Sequence, residues 1–196
     1  MTLYEALRVP LPVELAEQFN HMQVDWKIGI FTEIGRAWLT IDADIFIWKY
    51  QNGEDLAYFD QLSGQFVFSW DFYKPFLESI VSVALVKPIP DIFKPQIKYL
   101  LVVCTSIEVI ILGICFTGDD LSELTIIPDP LFTVSTEGIL FQSIQGTPDG
   151  RIFLAGRDGC LHEVIYSAEK GNLQLILATA VFWKFLSFWN EFQWNI

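Results

Sequence analysis

The residues best suited to chemistry lie close together near the end of the sequence: Cys160, His162 and Glu163. His162-Glu163 opens the H-E-x-x-H pattern of a zinc protease, in which two histidines one helical turn apart hold the metal, but position 166 is Tyr166. Cys160 and His162 are two residues apart and so share one face of a strand. Without a further Cys or His cluster they fall short of the four ligands of a structural zinc site, and they are expected to be buried strand residues. The other histidine, His21, is expected to be solvated at a helix end. Two carboxylate pairs, Asp42 with Asp44 and Asp119 with Asp120, have the composition of a glycosidase dyad. That chemistry needs an acid and a base facing each other across a substrate. Both pairs fall in turns, where Asp bonds nearby backbone, so a turn role is expected. No G-x-S-x-G, P-loop or G-x-G-x-x-G occurs, and Gly150, Gly156 and Gly159 sit in hairpins with no phosphate-cradling context. No catalytic, cofactor-binding or metal-ligating residue is assigned. No cofactor is expected, and the chain is expected not to be an enzyme.

The elements that would position any site follow from composition and period. In 196 residues, 52% are hydrophobic and 18% charged, enough for one domain with a real core, or one and a fraction. A formal charge of -12, with the basic residues scattered singly, repels phosphate and excludes direct nucleic-acid binding. Three cysteines without a C-x-x-C pair suit buried thiols in a reducing compartment. No N-x-[ST] acceptor occurs, and Met1 to Pro12 lacks a signal-peptide core, so a nuclear or cytoplasmic setting is expected. Tyr99 to Phe116 is very apolar, but Thr105, Ser106 and Glu108 cut it into two strands; a mid-bilayer charge would cost roughly 2.5–3.5 kcal/mol.

Val13 to Asn20 reads as one short helix, with Val13, Ala16 and Phe19 on its apolar side. Thereafter the period is two. Ala37 to Ile41, Ile45 to Tyr50 and Leu56 to Phe59 form a first meander, turned at Asp42-Ala43-Asp44 and Asn52-Gly53. Ile80 to Val86, Tyr99 to Cys104, Val109 to Phe116 and Leu124 to Ile127 form a second. Ile139 to Ile144, Arg151 to Leu154 and Cys160 to Tyr166 form a third, turned at Thr147 to Gly150 and Arg157 to Gly159. The repeat of about 50–60 residues exceeds the ~40–45 of WD repeats, and no W-D signature is present. The expected fold is all-β, an incomplete β-propeller of about three antiparallel blades with a short N-terminal helix.

The run Glu33 to Asp42, with Asp44 to Trp48 and Asp55 to Asp60, resembles the first blade of the large inner-ring scaffold nucleoporins, the family called one-fifty-five, one-fifty-seven and one-seventy. Ala84-Leu85-Val86-Lys87-Pro88 resembles its next strand. Ile127 to Leu131 and Gly150 to Leu161 match it too, and these motifs occur in order from Pro12 to about Gly171. The resemblance implies a seven-bladed propeller followed by an α-helical solenoid, with the later blades and solenoid lying outside this sequence. It implies a structural constituent of the nuclear pore complex at the nuclear envelope, supporting nucleocytoplasmic transport. Its implied partners are other scaffold and linker nucleoporins, with no small-molecule substrate and no direct nucleic acid. The family's pore-membrane contact is assigned to no residue here, because its membrane-sensing loop follows the third-blade motif, where this sequence has diverged. Two alternatives are a small propeller-type carbohydrate-binding or hydrolytic domain and a membrane protein anchored by Leu173 to Trp189. The mid-segment Lys184 weighs against the second.

The expected division is a lead over 1–32, a partial propeller over 33–171 and a divergent aromatic tail over 172–196. Within the propeller, Gly64 to Leu77 reads as an insertion. It holds six aromatics in 14 residues, and Phe182 to Trp194 holds seven in 13. Gly64 to Leu77 and the tail from about Asn172 to Ile196 both resemble translated thymine-rich intron sequence. On that reading neither adds a ladder strand, and their aromatics stay more exposed than Trp38, Phe46 or Phe153. Two bare blade faces are expected to make the isolated chain poorly soluble.

Overall fold

The computed structural model describes residues 9–60, 79–118, 123–169 and 172–180. The chain forms one short helix, α1 (Val13–Gln18), two 3-10 turns (Phe19–His21 and Thr32–Ile34) and thirteen strands in three antiparallel sheets among these residues. The first sheet runs in chain order through β1 (Trp26–Phe31), β2 (Arg36–Ile41), β3 (Asp44–Lys49) and β4 (Ala57–Asp60). The second runs through β5 (Ser82–Val86), β6 (Tyr99–Cys104), β7 (Glu108–Thr117) and β8 (Glu123–Ile126). Beside β8, β9 (Phe132–Ser135) pairs with Glu108 to Ile111, the other half of β7, so one long strand supports two short ones end to end. The third holds β10 (Phe141–Gly146), β11 (Ile152–Gly156), β12 (Leu161–Glu169) and β13 (Asn172–Ala180). Each sheet is built on a four-stranded meander, the unit of a propeller blade, with β9 as a fifth strand in the second.

Two boundaries differ from the sequence reading. β1 lies inside the supposed lead and pairs with β2 along its whole length, from Trp26 opposite Ile41 to Phe31 opposite Arg36. β13 lies in the supposed tail and pairs with β12 from Glu169 opposite Asn172 to Leu161 opposite Ala180. Residues 172–180 therefore do add a ladder strand, and the expectation that they would not is overturned. Their aliphatic run supplies the fourth strand that the third meander lacks without it. The insertion at 64–77 and the aromatic residues 182–194 lie outside the described residues. No helix among the described residues is long and apolar enough to cross a membrane, and the first part of Leu173 to Trp189 is strand.

Blade order in sequence becomes layer order in space. One apolar cluster joins the first and second blades through Phe31, Ile45 and Ile47 against Leu101, Val103, Ile110 and Leu112. Another joins the second and third through Val86, Leu100, Val102 and Ile111 against Phe141, Ile152, Leu154 and Val164. Leu100 to Cys104 are all wholly buried, because the middle blade has a neighbour on both faces. Each such side chain removed from water is worth about 1.5–3 kcal/mol, an upper figure because the unfolded chain already hides some surface.

Polar bonds fix the seams. The buried Arg36 guanidinium pairs with Asp55, and Asp55 Oδ2 also accepts the Leu124 N–H at 3.1 Å, tying the β3–β4 loop to β8. The Ile80 N–H donates to the Asp42 carbonyl at 2.7 Å. Ser82 Oγ donates to the Phe141 carbonyl at 3.0 Å. Tyr166 donates its hydroxyl proton to the Gly150 carbonyl at 2.6 Å and accepts the Ile89 N–H at 3.1 Å.

The outer face of the first blade is not bare, as the sequence reading expected. Leu15 of α1 is wholly buried against Ala37, Leu39, Ile41, Phe46 and Trp48. Of the expected apolar side only Phe19 packs there; Val13 is 73% exposed, Ala16 is exposed too, and Leu15 takes their place. In six residues the single leucine that reaches the sheet decides the orientation. Beyond the helix, Trp26, Ile28 and Ile30 of β1 stay 47%, 53% and 61% exposed. Trp26 meets Phe19 edge to face at 5.8 Å between centroids.

Two outcomes follow from this packing. Asp55→Asn keeps the acceptor for Leu124 and tolerates the positive φ of 55° but removes the carboxylate charge that pairs with the buried Arg36. Urea unfolding should show a loss of roughly 3 kcal/mol, and a change under about 0.5 kcal/mol would refute the clamp. The isolated chain should self-associate at micromolar concentration through the open stripe. Light scattering should show Ile28→Lys with Ile30→Lys shifting the population toward monomer, and a wild-type chain already monomeric would contradict it.

Candidate functional site

Asp42 occupies a tight turn with φ of 53°, a backbone region that Asp tolerates better than most residues. Its carboxylate accepts three successive backbone N–H groups, from Gln23 at 2.8 Å, Val24 at 2.7 Å and Asp25 at 3.1 Å. The turn role expected of Asp42 is found, with a difference: the donors come from the segment before β1, not from the turn itself. Asp44 begins β3 and stands opposite Asp60 of β4. Loss of water around Asp44, followed by the charge of Asp60 and a hydrogen bond to it, pushes its carboxyl up to about 7. The same desolvation and the two carboxylates push the Tyr58 hydroxyl up. The pair thus holds a proton near neutral pH. Asp119 and Asp120 lie outside the described residues.

The residues singled out near the end of the sequence come together, with an addition. His162 of β12 is 2% exposed and meets the Phe141 ring edge to face at 5.1 Å. Its Nε2 lies 2.8 Å from Asp158 Oδ2. Asp158 Oδ1 accepts the Cys160 N–H at 3.1 Å, and that bond, followed by the one to His162, holds the Asp158 carboxyl below its usual range. The carboxylate can fold back over its hairpin because Gly156 lacks a Cβ, which would stand 2.3 Å from Oδ1. His162 is buried, as expected; Cys160 is only half-buried, since it lies in the turn just before β12. Sequence reading counted Asp158 as a turn former and missed it as the third polar group of this cluster. The spacing D-x-C-x-H across a tight turn was the available signal. Glu163, on the other face of the strand, forms a two-pronged pair with Arg151 at 2.6 and 2.8 Å, and Arg151 lies 4.8 Å above the Phe153 ring. His21 is exposed.

Between the turn after β1, the strands β5 and β6 and the turn after β10, Glu33, Lys87, Tyr99, Gln145, Thr147 and Pro148 help line a groove of about 390 Å³. Burial, followed by the Glu33 charge, raises the Tyr99 hydroxyl above its usual range. The groove draws on all three blades, and it offers both signs of charge beside apolar side chains, the chemistry of a peptide-binding surface.

Residues 2–192 match the family model for the nucleoporin N-terminal region, described as Nup133 N terminal like. The chain is 45% identical over 159 residues to the nuclear pore complex protein Nup154 of Drosophila melanogaster, covering 81% of this chain and 11% of that one. It is 34% identical over 162 residues to nucleoporin NUP170 of Chaetomium thermophilum, covering 82% and 10%. Among solved structures, it superposes on the complex of the Chaetomium thermophilum Nup170 N-terminal domain with Nup53, with a TM-score of 0.70 and 30% identity over 88% of this chain and 23% of that one. The chain spans about a tenth of the length of the curated relatives it matches.

The Asp44–Asp60 pair generates a pH dependence of known sign. The folded state holds a proton that the unfolded chain releases near 3.8, so between that value and about 7 stability falls as pH rises. Asp44→Asn should raise the melting temperature at pH 7.5 and flatten its dependence between pH 5 and 7.5. An equal slope in both proteins would rule the pair out as the cause.

Proposed function

We propose, from the premise that the chain belongs to the nucleoporin family described as Nup133 N terminal like, that it is a structural constituent of the nuclear pore complex. It works as a protein-binding arc of propeller blades at the nuclear envelope. The observation that carries this reading is the superposition of its three blades on the Nup170 N-terminal domain, at 30% identity. That domain is seen with Nup53, and this chain is proposed to bind other scaffold and linker nucleoporins in the same manner of work: by surface, without turnover. The relatives are named as nucleoporins, which are structural proteins. We place no catalytic step on the chain, since its acidic residues and His162 already serve turns, seams and a hairpin. In the proposed division the arc runs from β1 to β13, with an insertion at 64–77 and a divergent segment from 181 on.

A fluorescently tagged chain expressed in cells should concentrate at the nuclear rim, and the purified chain should capture a Nup53-type nucleoporin in a pull-down. Diffuse fluorescence together with no capture would overturn the proposal. Loss of capture after reversing the groove charges, Lys87→Glu, would place the contact at the groove.

A further inference from the structure

The hairpin between β11 and β12 brings three metal-binding side chains of three chemical kinds to one point. The Asp158 carboxylate, the Cys160 sulfur and the His162 imidazole each offer one ligand atom, and these atoms lie within 4.8 Å of one another. We propose that this hairpin binds one zinc-class divalent cation through Asp158 Oδ2, Cys160 Sγ and His162 Nε2, with water as the fourth ligand.

Four features carry the assignment. A tetrahedral zinc ion with bonds of about 2.0–2.3 Å holds its ligand atoms about 3.3–3.7 Å apart. Asp158 Oδ2 and His162 Nε2 are already 2.8 Å apart, so the ion takes the place of the proton between them after a small widening. The side-chain exposures grade from 3% at His162 to 32% at Asp158, giving the ion an anchored floor and an open mouth through which it enters with its water. The donor set is selective: imidazole and thiolate favour zinc over magnesium or calcium, which take oxygen ligands. On binding, the Cys160 thiol gives its proton to solvent, as coordinating thiols do, so thiolate and carboxylate together balance the two charges of the ion. Gly156 adds an independent sign that the space is kept for this carboxylate, since any larger residue there would push Asp158 out of the cluster.

The bound ion would staple the turn to the buried end of β12, next to Phe141 and the seam with the second blade. Nothing in this assignment depends on the chain's place in the nuclear pore. It adds a ligand that the sequence alone, with only Cys160 and His162 in view, had set aside.

The test uses the whole chain, reduced and stripped with chelator, and titrates it with cobalt(II) as the probe. About one cobalt per chain is expected, with a sulfur-to-cobalt charge-transfer band in the near ultraviolet that zinc then displaces. Cys160→Ser should abolish the band, and Cys115→Ser should leave it. Asp158→Asn, which keeps the turn hydrogen bond to Cys160 and so should fold, is expected to weaken cobalt binding by tenfold or more. No band in the wild-type chain would overturn the proposal. So would a band that survives Cys160→Ser, one lost in Cys115→Ser, or equal affinity in Asp158→Asn.

Discussion

A sheet with apolar side chains on both faces is stable only between two neighbours, and the whole molecule is arranged around that constraint. The middle blade states it most plainly: successive residues of β6 point to opposite faces, yet Leu100 to Cys104 are all inaccessible to water. Such a sheet has no outer side to give to solvent. It must be flanked by the first blade through Ile45 and Ile47 and by the third through Ile152 and Leu154. The middle blade therefore completes its burial only with both neighbours in place.

Apolar contact is indifferent to small rotations, so the angle between blades has to be set by something directional. Hydrogen bonds across the seams do this. Asp42 gathers three N–H groups before β1 with its side chain and receives Ile80, at the approach to β5, with its carbonyl. Tyr166 joins β12 to the turn at Gly150 and to the segment that leaves β5 at Ile89. Asp55 does the same between the first and second blades through the Leu124 N–H, and the buried Arg36 holds it in place.

Much of this was legible from residues alone. The alternation in Arg36 to Ile41 and the turn formers at Thr147 to Gly150 marked strands and hairpins, and the motifs in order gave the family. β1 escaped because Trp26, Lys27 and Gly29 look like a lead segment; only in space does Gly29 make sense, since the Trp38 ring lies where its Cβ would stand, 2.5 Å away. β13 escaped because the aromatic stretch after it drew the whole tail into one reading, although Asn172 to Ala180 has the aliphatic content of a strand. The turn expected at Asn52-Gly53 has positive φ at Gly53 and at Asp55, and the loop is longer than a two-residue hairpin. Asp158 was invisible as a partner of His162 because a turn reading fixes backbone and says nothing of where a carboxylate folds.

The position of α1 ahead of β1 matters for the order in which the molecule is made. Chains leave the ribosome N-terminus first, at about 5–20 residues per second, so Leu15 emerges before the sheet face it covers. The six-residue helix is thus made before the face it covers, so Leu39 and Trp48 have their cover at hand as soon as β2 and β3 pair.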